Sequence, residues 1–211
     1  MNIKVCGMRD SYNIANLCQL PINYIGFIFY AKSARFVGEE FDNLITKSVP
    51  IHIKKVGVFV NATEKYILSK IKTYKLDAIQ LHGNESPEFC QAFVNKNIET
   101  IKAFGFDESF DFNSLNAYQE VCDYFLFDTK APSHGGTGLK FDWNILQKYN
   151  GTKAFFLSGG ITNNDVDSIK QLQSLPIHCI DINSKFELSP AIKDIININN
   201  FVETLHNSLT A

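Results

Sequence analysis

The feature that most constrains the fold is a series of short apolar segments separated by stretches with helical spacing. Eight such segments occur: IKVCG (3–7), YIGFIFY (24–30), VGVFV (56–60), AIQLHG (78–83), TIKAFGF (100–106), YFLFDT (124–129), AFFLSGG (154–160) and CIDINS (179–184). Most of them are apolar without strict alternation, which is typical of parallel strands that are buried on both faces. The series therefore predicts eight strands in a parallel sheet.

The stretches between these segments predict helices, because apolar residues recur there every three or four positions. Asn61 followed by Glu64 predicts a capping box at the start of one helix. Ser86 followed by Pro87 predicts an N-cap with proline at the first helical position of another. Strand and helix alternate eight times, which predicts a (βα)8 TIM barrel, with a doubly wound open sheet as the alternative.

The length at first argues against the barrel, because 211 residues are few for a fold that usually takes about 250. The eight segments begin between residues 3 and 179, however, which leaves about 25 residues for each unit. That is enough for a strand, a short helix and two tight connections. No linker or shift in composition interrupts the series, so we expect a single domain over residues 1–211.

Composition excludes several classes of protein. With 45% hydrophobic and 20% charged residues, the chain can bury a core, so disorder is excluded. The net charge of -2 comes without a basic block, which argues against nucleic-acid and membrane partners. The apolar runs are too short for a signal peptide or a membrane helix. Five scattered cysteines without a Cys-x-x-Cys pair predict free thiols and a cytoplasmic location.

Polar residues at the ends of the predicted strands mark the candidate site, since ligands of parallel α/β folds bind beyond the carboxyl ends of the strands. The candidates are Cys6, Arg35, His82, Asp128, Gly159, Gly160, Asp181, Asn183 and Ser184. No group of His, Cys, Asp and Glu has the spacing of a metal site. No Gly-x-Gly-x-x-Gly follows the first strand either, so we expect neither a metal nor a nicotinamide cofactor.

The segment that follows the seventh strand predicts an anion site. Gly159 and Gly160 let the backbone approach a ligand closely, and a helix predicted to begin at Thr162 would favour negative charge. The alternative is a tight turn that only needs glycine. Because the next strand ends in the polar segment 181–184, and the loops after strands 7 and 8 bind phosphate in many barrels, phosphate is favoured.

Four further features each leave a functional and a structural interpretation. Asp128 follows an aromatic run, where burial would favour a protonated general acid, or it is a helix cap or a salt-bridge partner. Cys6 is a base if positive charge stabilises its thiolate, although taken alone it fits an inert buried thiol better. His82 binds a ligand or caps a loop. The polar loop 130–142 is either a lid or a plain connection.

The chain resembles the phosphoribosylanthranilate isomerase family in segments that span nearly its whole length. The segments are KVCGM (4–8), GFIFYAKSARFV (26–37), VGVFVN (56–61), IQLHGNE (79–85), LFDT (126–129), GGTGLKFDW (135–143), LSGGI (157–161) and IKD (192–194). They follow the order of the family, and the set is specific although each segment alone is weak. The resemblance implies a (βα)8-barrel isomerase of tryptophan biosynthesis that needs no cofactor.

The resemblance also implies the reaction and three of the residues that carry it. N-(5-phosphoribosyl)anthranilate, an aminoaldose, becomes 1-(2-carboxyphenylamino)-1-deoxyribulose 5-phosphate, an aminoketose, in an Amadori rearrangement. By position, the family's general base is Cys6, its general acid is Asp128, and its partner for the anthranilate carboxylate is Arg35. The planar fork of arginine suits a carboxylate in a way that lysine cannot reproduce.

The remaining site residues follow from the same resemblance. Gly159, Gly160 and the loop 183–185, with Asn183 and Ser184, lie where the family holds phosphate. We also expect His82, Gly136 and Asp181 to contact the substrate. After the eighth strand the family commonly reads Asp-Val-Ser-Ser-Gly-Val-Glu, and Lys185 stands where it has glycine. Either the turn accepts a side chain there, or Lys185 adds charge to the phosphate site.

Two other functions are weighed against this one. Another sugar-phosphate isomerase or epimerase would share the fold, but an epimerase calls for a metal site or paired carboxylates, which the sequence does not show. A catalytically silent sugar-phosphate-binding barrel is disfavoured by the presence of both Cys6 and Asp128. The expected partner is a small phosphosugar, with no nucleic acid and no membrane, and the chain is expected to be a monomer or a homodimer.

Overall fold

Eight parallel strands close into a barrel in the computed structural model, which describes residues 1–129 and 142–210. The strands are β1 (Asn2–Val5), β2 (Tyr24–Ile28), β3 (Lys54–Phe59), β4 (Ala78–Leu81), β5 (Glu99–Phe106), β6 (Tyr124–Thr129), β7 (Phe155–Leu157) and β8 (Ile177–Ile182). Each strand pairs with the next, and β1 pairs with β8, so the sheet closes on itself. The predicted barrel is confirmed, and the open sheet is wrong.

Short helices cover the outside of the barrel. They are α1 (Ser11–Leu17), α2 (Asn43–Lys47), α3 (Glu64–Tyr74), α4 (Pro87–Gln91), α5 (Val166–Gln171) and α6 (Ile195–Thr210). Turns of 3-10 helix occupy Phe112–Tyr118, Trp143–Lys148, Asn163–Asp165 and Ser184–Phe186, and a hairpin of β9 (Glu187–Ser189) and β10 (Ile192–Lys193) precedes α6. These brief connections explain how a short chain closes the barrel. In the described ranges, no helix is long and apolar enough to cross a membrane.

The predicted start of α4 is confirmed. The Ser86 hydroxyl accepts a hydrogen bond from the backbone N–H of Phe89 at 3.3 Å, and Pro87 takes the first helical position. Proline is favoured there because its missing N–H would have no partner inside the helix. The sequence therefore fixes the direction in which the chain leaves the loop after β4.

The predicted capping box at Asn61 and Glu64 is wrong. Thr63 caps α3 instead, and its hydroxyl accepts a hydrogen bond from the backbone N–H of Tyr66. Asn61 adopts a left-handed conformation with φ 50°, and its side-chain oxygen accepts from the backbone N–H of Asn84 at 2.7 Å. Asparagine tolerates this conformation better than most residues. Asn61 therefore joins the loops after β3 and β4 rather than starting a helix.

Side chains that alternate along the strands fill the barrel in layers. The lower interior holds an apolar cluster of Tyr24, Val56, Ala78, Ile101, Ala103, Leu126, Phe156 and Cys179. A larger apolar cluster lies between the sheet and the helices. Above the apolar interior layer come buried polar side chains, among them Lys4, Gln80 and Asp181. The interior therefore becomes polar toward the carboxyl ends of the strands, where the candidate residues lie.

A histidine held by two tyrosines closes the opposite end of the barrel. His178 Nε2 lies 2.8 Å from the hydroxyl of Tyr24, and the His178 ring stacks on Tyr124 with ring centroids 4.2 Å apart. Burial, together with the nearby charge of Lys54, lowers the pKa of His178 below its ordinary value of 6.5. His178 therefore resists protonation in the folded chain more than in the unfolded chain.

We expect this difference to make the free energy of unfolding fall as the pH drops below about 6.5, because the unfolded chain then binds the additional proton. The contribution of His178 is complete above that pH and is lost toward the lowered pKa of the folded state. In His178→Gln the side chain can still bond Tyr24 but does not titrate, so the pH dependence should become shallower. Urea unfolding from about pH 5 to about pH 8 measures it.

The same substitution at exposed His52 is the matched control, and it should leave the pH dependence as in the wild type. A His178→Gln variant whose stability follows the wild-type pH dependence would contradict the role of His178 in the barrel floor.

Candidate active site

A pocket opens at the carboxyl ends of the strands, with an empty volume of about 740 Å³ that includes its open mouth. It is lined by Cys6, Arg35, His82, Asp128, Gly159, Gly160, Asp181, Asn183 and Ser184, as well as by Lys185 and Gln80. Nine of the sequence candidates thus share one cavity. Gly136 and residues 130–141 of the predicted lid lie outside the described residues.

Cys6 lies just beyond β1, above a buried ion pair. Lys4, two residues earlier, points to the same interior, and its Nζ lies 2.9 Å from Oδ2 of Asp181. Burial alone would lower the pKa of Lys4, but Asp181 and Cys6 outweigh burial and raise it. Lys4 therefore stays charged beneath Cys6. Lys4 is not among the site residues predicted from the sequence, although the two-residue period of a strand places it on the same face as Cys6.

The surroundings of Cys6 act on its pKa in opposite directions. Burial raises the pKa of the Cys6 thiol above its ordinary value, and the charge of Lys4 opposes this rise. A thiolate at Cys6 is therefore most favourable when positive charge nearby offsets burial. The ammonium group of Lys4 is a permanent source of such charge.

Glycine on the neighbouring strand makes room for Cys6. A β-carbon added at Gly26 in β2 would lie 2.7 Å from Cys6 Sγ and 3.1 Å from Cys6 Cα. Both distances are shorter than ordinary van der Waals contact, so any larger residue at position 26 would displace Cys6. Gly26 is thus a second residue that was not predicted from the sequence, because its importance depends on the pairing of β1 with β2.

Asp128 and His82 form a pair on the opposite side of the pocket. His82 Nε2 lies 3.4 Å from Asp128 Oδ2, and both side chains remain partly exposed. Gln80 Nε2 lies 2.7 Å from His82 Nδ1, so the Gln80 side chain holds one nitrogen of the ring while the other, Nε2, faces the Asp128 carboxylate. Of the two interpretations of His82, the structure therefore favours a side chain directed into the pocket.

Arg35 meets a carboxylate of the chain itself. Its Nε lies 2.9 and 3.0 Å from the two carboxylate oxygens of Glu187, and its Nη2 lies 2.7 Å from Oε2. Glu187 also accepts hydrogen bonds from Nζ of Lys193 at 2.7 Å and from the backbone N–H of Ala191 at 3.1 Å. The sequence assigned no role to Glu187 or Lys193.

The loops after β7 and β8 present backbone donors to the pocket. Gly159 and Gly160 have φ values of 101° and 66°, in the left-handed region that glycine adopts easily. Within the described part of the chain, the backbone N–H groups of Gly159, Gly160 and Ser184 donate to no other group. Lys185 lies in the turn Ser184–Phe186 and lines the pocket, so this turn does accept a side chain.

The helix predicted at Thr162 begins as the 3-10 turn Asn163–Asp165, with Thr162 and Asp165 forming a capping box. The Asp165 carboxylate therefore takes up the first backbone donor of this turn, at 2.6 Å from Thr162 N. Of the backbone donors in this loop, those of the two glycines thus stay open to a ligand. Among the residues with described positions, no cluster of three His, Cys, Asp or Glu could hold a metal ion.

The closed barrel of eight strands and the pocket at its strand ends define a (βα)8-barrel enzyme that acts on a small anionic molecule. The pocket holds a thiol, a carboxyl group and backbone donors that no described residue takes up. A family model described as N-(5'phosphoribosyl)anthranilate (PRA) isomerase matches residues 3–204. The chain belongs to this family.

Individual relatives agree with this assignment. The N-(5'-phosphoribosyl)anthranilate isomerase of Parabacteroides distasonis is 46% identical over 97% of this chain and 93% of its own. A solved phosphoribosyl anthranilate isomerase in complex with reduced 1-(o-carboxyphenylamino)-1-deoxyribulose 5-phosphate has a TM-score of 0.84 and 28% identity, over 98% and 99% of the two chains. Monomers generated from the dimeric enzyme of Thermotoga maritima have a TM-score of 0.82 and 28% identity, over 98% of each chain.

We expect Gly26→Ala to reduce turnover roughly ten- to hundredfold, because the new methyl group displaces Cys6 from the position where it faces the pocket. Steady-state kinetics together with urea unfolding test this. The matched control is Gly57→Ala, whose β-carbon would meet Leu76 and Phe59 rather than Cys6. The control should lose stability but keep its turnover per folded molecule. Equal turnover in the two variants would contradict the role of Gly26.

Proposed function

We propose that this chain converts N-(5'-phosphoribosyl)anthranilate to 1-(2-carboxyphenylamino)-1-deoxyribulose 5-phosphate by an Amadori rearrangement in tryptophan biosynthesis. The observation that carries the proposal is the convergence of Cys6 and Asp128 on one pocket that also holds Arg35 and unpaired loop N–H groups. Membership in the isomerase family supports it, as does the relative solved with a reduced form of this product.

The first step opens the ribose ring. Asp128, in its protonated form, delivers its proton to the furanose oxygen while the bond from that oxygen to C1 breaks and the nitrogen lone pair forms a C1=N double bond. His82 lies beside the carboxylate that results, with Nε2 3.4 Å from Oδ2. A hydrogen bond from His82 to the ionised carboxylate stabilises the product of this proton transfer.

The second step moves a proton at the sugar carbons. The cationic C1=N group acidifies the proton on C2, and the thiolate of Cys6 removes it to give an enolamine. Protonation at C1 and loss of the C2 hydroxyl proton then give the ketone. Burial raises the pKa of Cys6 and so disfavours the thiolate. The positive charges of Lys4 and of the cationic intermediate oppose this effect and favour the thiolate.

The two ends of the substrate find different partners. We place the anthranilate carboxylate on the free edge of Arg35, and the phosphate on the backbone donors of Gly159, Gly160 and the loop with Asn183 and Ser184. Lys185, on the same wall, adds positive charge at the phosphate end.

A buried oxygen supports a contact in the middle of the substrate. Oδ1 of Asp181 has no hydrogen-bond partner among the described residues, although Oδ2 is held by Lys4. A buried acceptor without a partner is unfavourable, and a sugar hydroxyl would satisfy it. We therefore assign Asp181 to the orientation of a ribose hydroxyl.

The wider setting is part of the same proposal. We propose one catalytic domain over residues 1–211, a cytoplasmic location and a reaction that needs no cofactor. The ligand is a small phosphosugar rather than a nucleic acid or a membrane. A monomer and a homodimer both fit the chain, since the Thermotoga maritima relative is described as dimeric but has been obtained as monomers.

Substitution of the proposed base or acid should abolish most of the activity. We expect Cys6→Ala and Asp128→Asn each to lower kcat by roughly 10²–10⁴, because each removes one proton-transfer group. The loss of phosphoribosylanthranilate fluorescence measures the reaction. Cys18→Ala, at a half-buried thiol on the outside of the barrel, is the control and should keep normal turnover. Near-normal turnover in either site variant would refute the role assigned to that residue.

Arg35 should act mainly on binding. We expect Arg35→Ala to raise KM by at least about tenfold with a smaller change in kcat, since a charge-assisted hydrogen bond to the carboxylate is lost. Arg35→Lys keeps the charge but not the planar fork, so its KM should fall between those of Arg35→Ala and the wild type. An unchanged KM in Arg35→Ala would contradict the placement of the carboxylate.

A further inference from the structure

The guanidinium group of Arg35 is already engaged on one side. Glu187 occupies Nε and Nη2 with distances between 2.7 and 3.0 Å, and its side chain is only 4% exposed. No residue that the structure describes bonds Nη1 of Arg35, so this edge is available to a ligand. Arg35 is therefore held in one orientation before any substrate arrives.

A second buried cation faces the same carboxylate. Nζ of Lys193 lies 2.7 Å from Glu187 Oε1, 2.7 Å from the Asn183 side-chain oxygen and 3.4 Å from the Asn183 backbone oxygen. Burial lowers the pKa of Lys193 below its ordinary value and the charge of Glu187 opposes this. The three acceptors match the three donors of an ammonium group, so the contacts are those of a charged lysine. The backbone of Lys193 is fixed by Asn13, whose side chain bonds both its N–H and its carbonyl.

The three side chains together carry one net positive charge. Burial alone would raise the pKa of Glu187, but Arg35 and Lys193 outweigh burial and hold that pKa below its usual value. Glu187 is thus ionised near neutral pH, and it neutralises one of the two cations. We call Arg35, Glu187 and Lys193 the carboxylate seat.

The net charge of this seat matters because the proposed substrate has two different anionic ends. The anthranilate carboxylate carries a single negative charge, whereas a phosphate monoester carries nearly two at neutral pH. Without Glu187, the seat would hold two unbalanced cations, an arrangement that strongly attracts phosphate. With Glu187, the single net positive charge of the seat matches the single negative charge of a carboxylate.

We propose that Glu187 sets the charge of the carboxylate seat so that it accepts a carboxylate and rejects a phosphate dianion, which fixes the direction in which the substrate binds. This proposal rests on the proposed function for the identity of the two ends. Glu187 is in this sense a positioning and specificity-determining residue, since it acts on the substrate through Arg35.

Equilibrium binding tests the proposal without any catalytic turnover. The probes are anthranilate, followed by its own fluorescence, and inorganic sulfate, which stays a dianion at about pH 6.5 and stands for the phosphate. In the wild type, sulfate should leave the Kd of anthranilate nearly unchanged, because it does not enter the carboxylate seat. In Glu187→Gln, saturating sulfate should raise the apparent Kd of anthranilate roughly tenfold, because both anions now compete at Arg35.

A double variant separates charge from structure. Glu187→Gln combined with Lys193→Met returns the net charge of the seat to that of the wild type, although it removes two partners from the network. Competition by sulfate should therefore disappear again. A merely structural role of Glu187 predicts the reverse, namely that the double variant binds anthranilate more weakly than Glu187→Gln does.

Two further variants serve as controls. Glu187→Asp keeps the negative charge and should show no competition, and Glu203→Gln on the exposed face of α6 removes one charge far from the pocket and should behave as the wild type. The proposal is overturned if sulfate leaves the Kd of anthranilate unchanged in Glu187→Gln, or if it competes equally in the wild type.

Lys193→Met alone gives an independent test should Glu187→Gln fail to fold. It lowers the net charge of the seat to zero, so the affinity for anthranilate should fall about tenfold, and an unchanged affinity would overturn the proposal. A protein that shows the expected binding pattern but no isomerase activity would refute the proposed function alone.

Discussion

The ion pair between Lys4 and Asp181 is the interaction on which the site depends most. It lies inside the barrel at the seam where β1 meets β8, and the two residues are paired positions across that seam. Both side chains are almost fully buried, so removal of either partner would leave an uncompensated charge, at a cost of about 3–5 kcal/mol. This one ion pair therefore contributes both to the closure of the barrel and to the electrostatics of the pocket.

The positions of the site residues above the ion pair follow from the same pairing of β1 with β8. Cys6 leaves β1 two residues after Lys4, and Asn183 leaves β8 two residues after Asp181, so the closed seam brings the proposed base beside the loop assigned to phosphate. The same loop continues into the β9–β10 hairpin, which carries Glu187 and Lys193 against Arg35. A chain of polar contacts thus joins the interior of the barrel to the carboxylate seat.

Much of the fold and site could be predicted because the signals are local. Buried parallel strands are marked by their own apolar residues, and ligands of this fold bind at strand ends, so Cys6, His82 and Asp128 stand out. The Ser86 cap is local as well. Asn61 misled the helix prediction because its side chain serves a neighbouring loop rather than its own segment, a tertiary preference that spacing does not reveal.

The missed residues act over long separations in the chain. Arg35 and Glu187 are 152 positions apart, and only the closed barrel brings their loops together. Gly26 matters because β2 lies against Cys6, which is a property of strand pairing. Lys4 is the exception, because its two-residue spacing from Cys6 already places both on the inner face. Sequence thus indicates which residues carry chemistry, whereas the structure shows which residues hold them.

A crystal structure of the chain with reduced 1-(o-carboxyphenylamino)-1-deoxyribulose 5-phosphate would test most directly whether the seam aligns base, acid and both anion sites on one ligand. The carboxylate should bond Nη1 of Arg35, the phosphate should bond the backbone of Gly160 and Ser184, and the sugar carbons should lie between Cys6 Sγ and the Asp128 carboxylate. A ligand bound in the reverse direction, or with its sugar out of reach of Cys6, would contradict this arrangement.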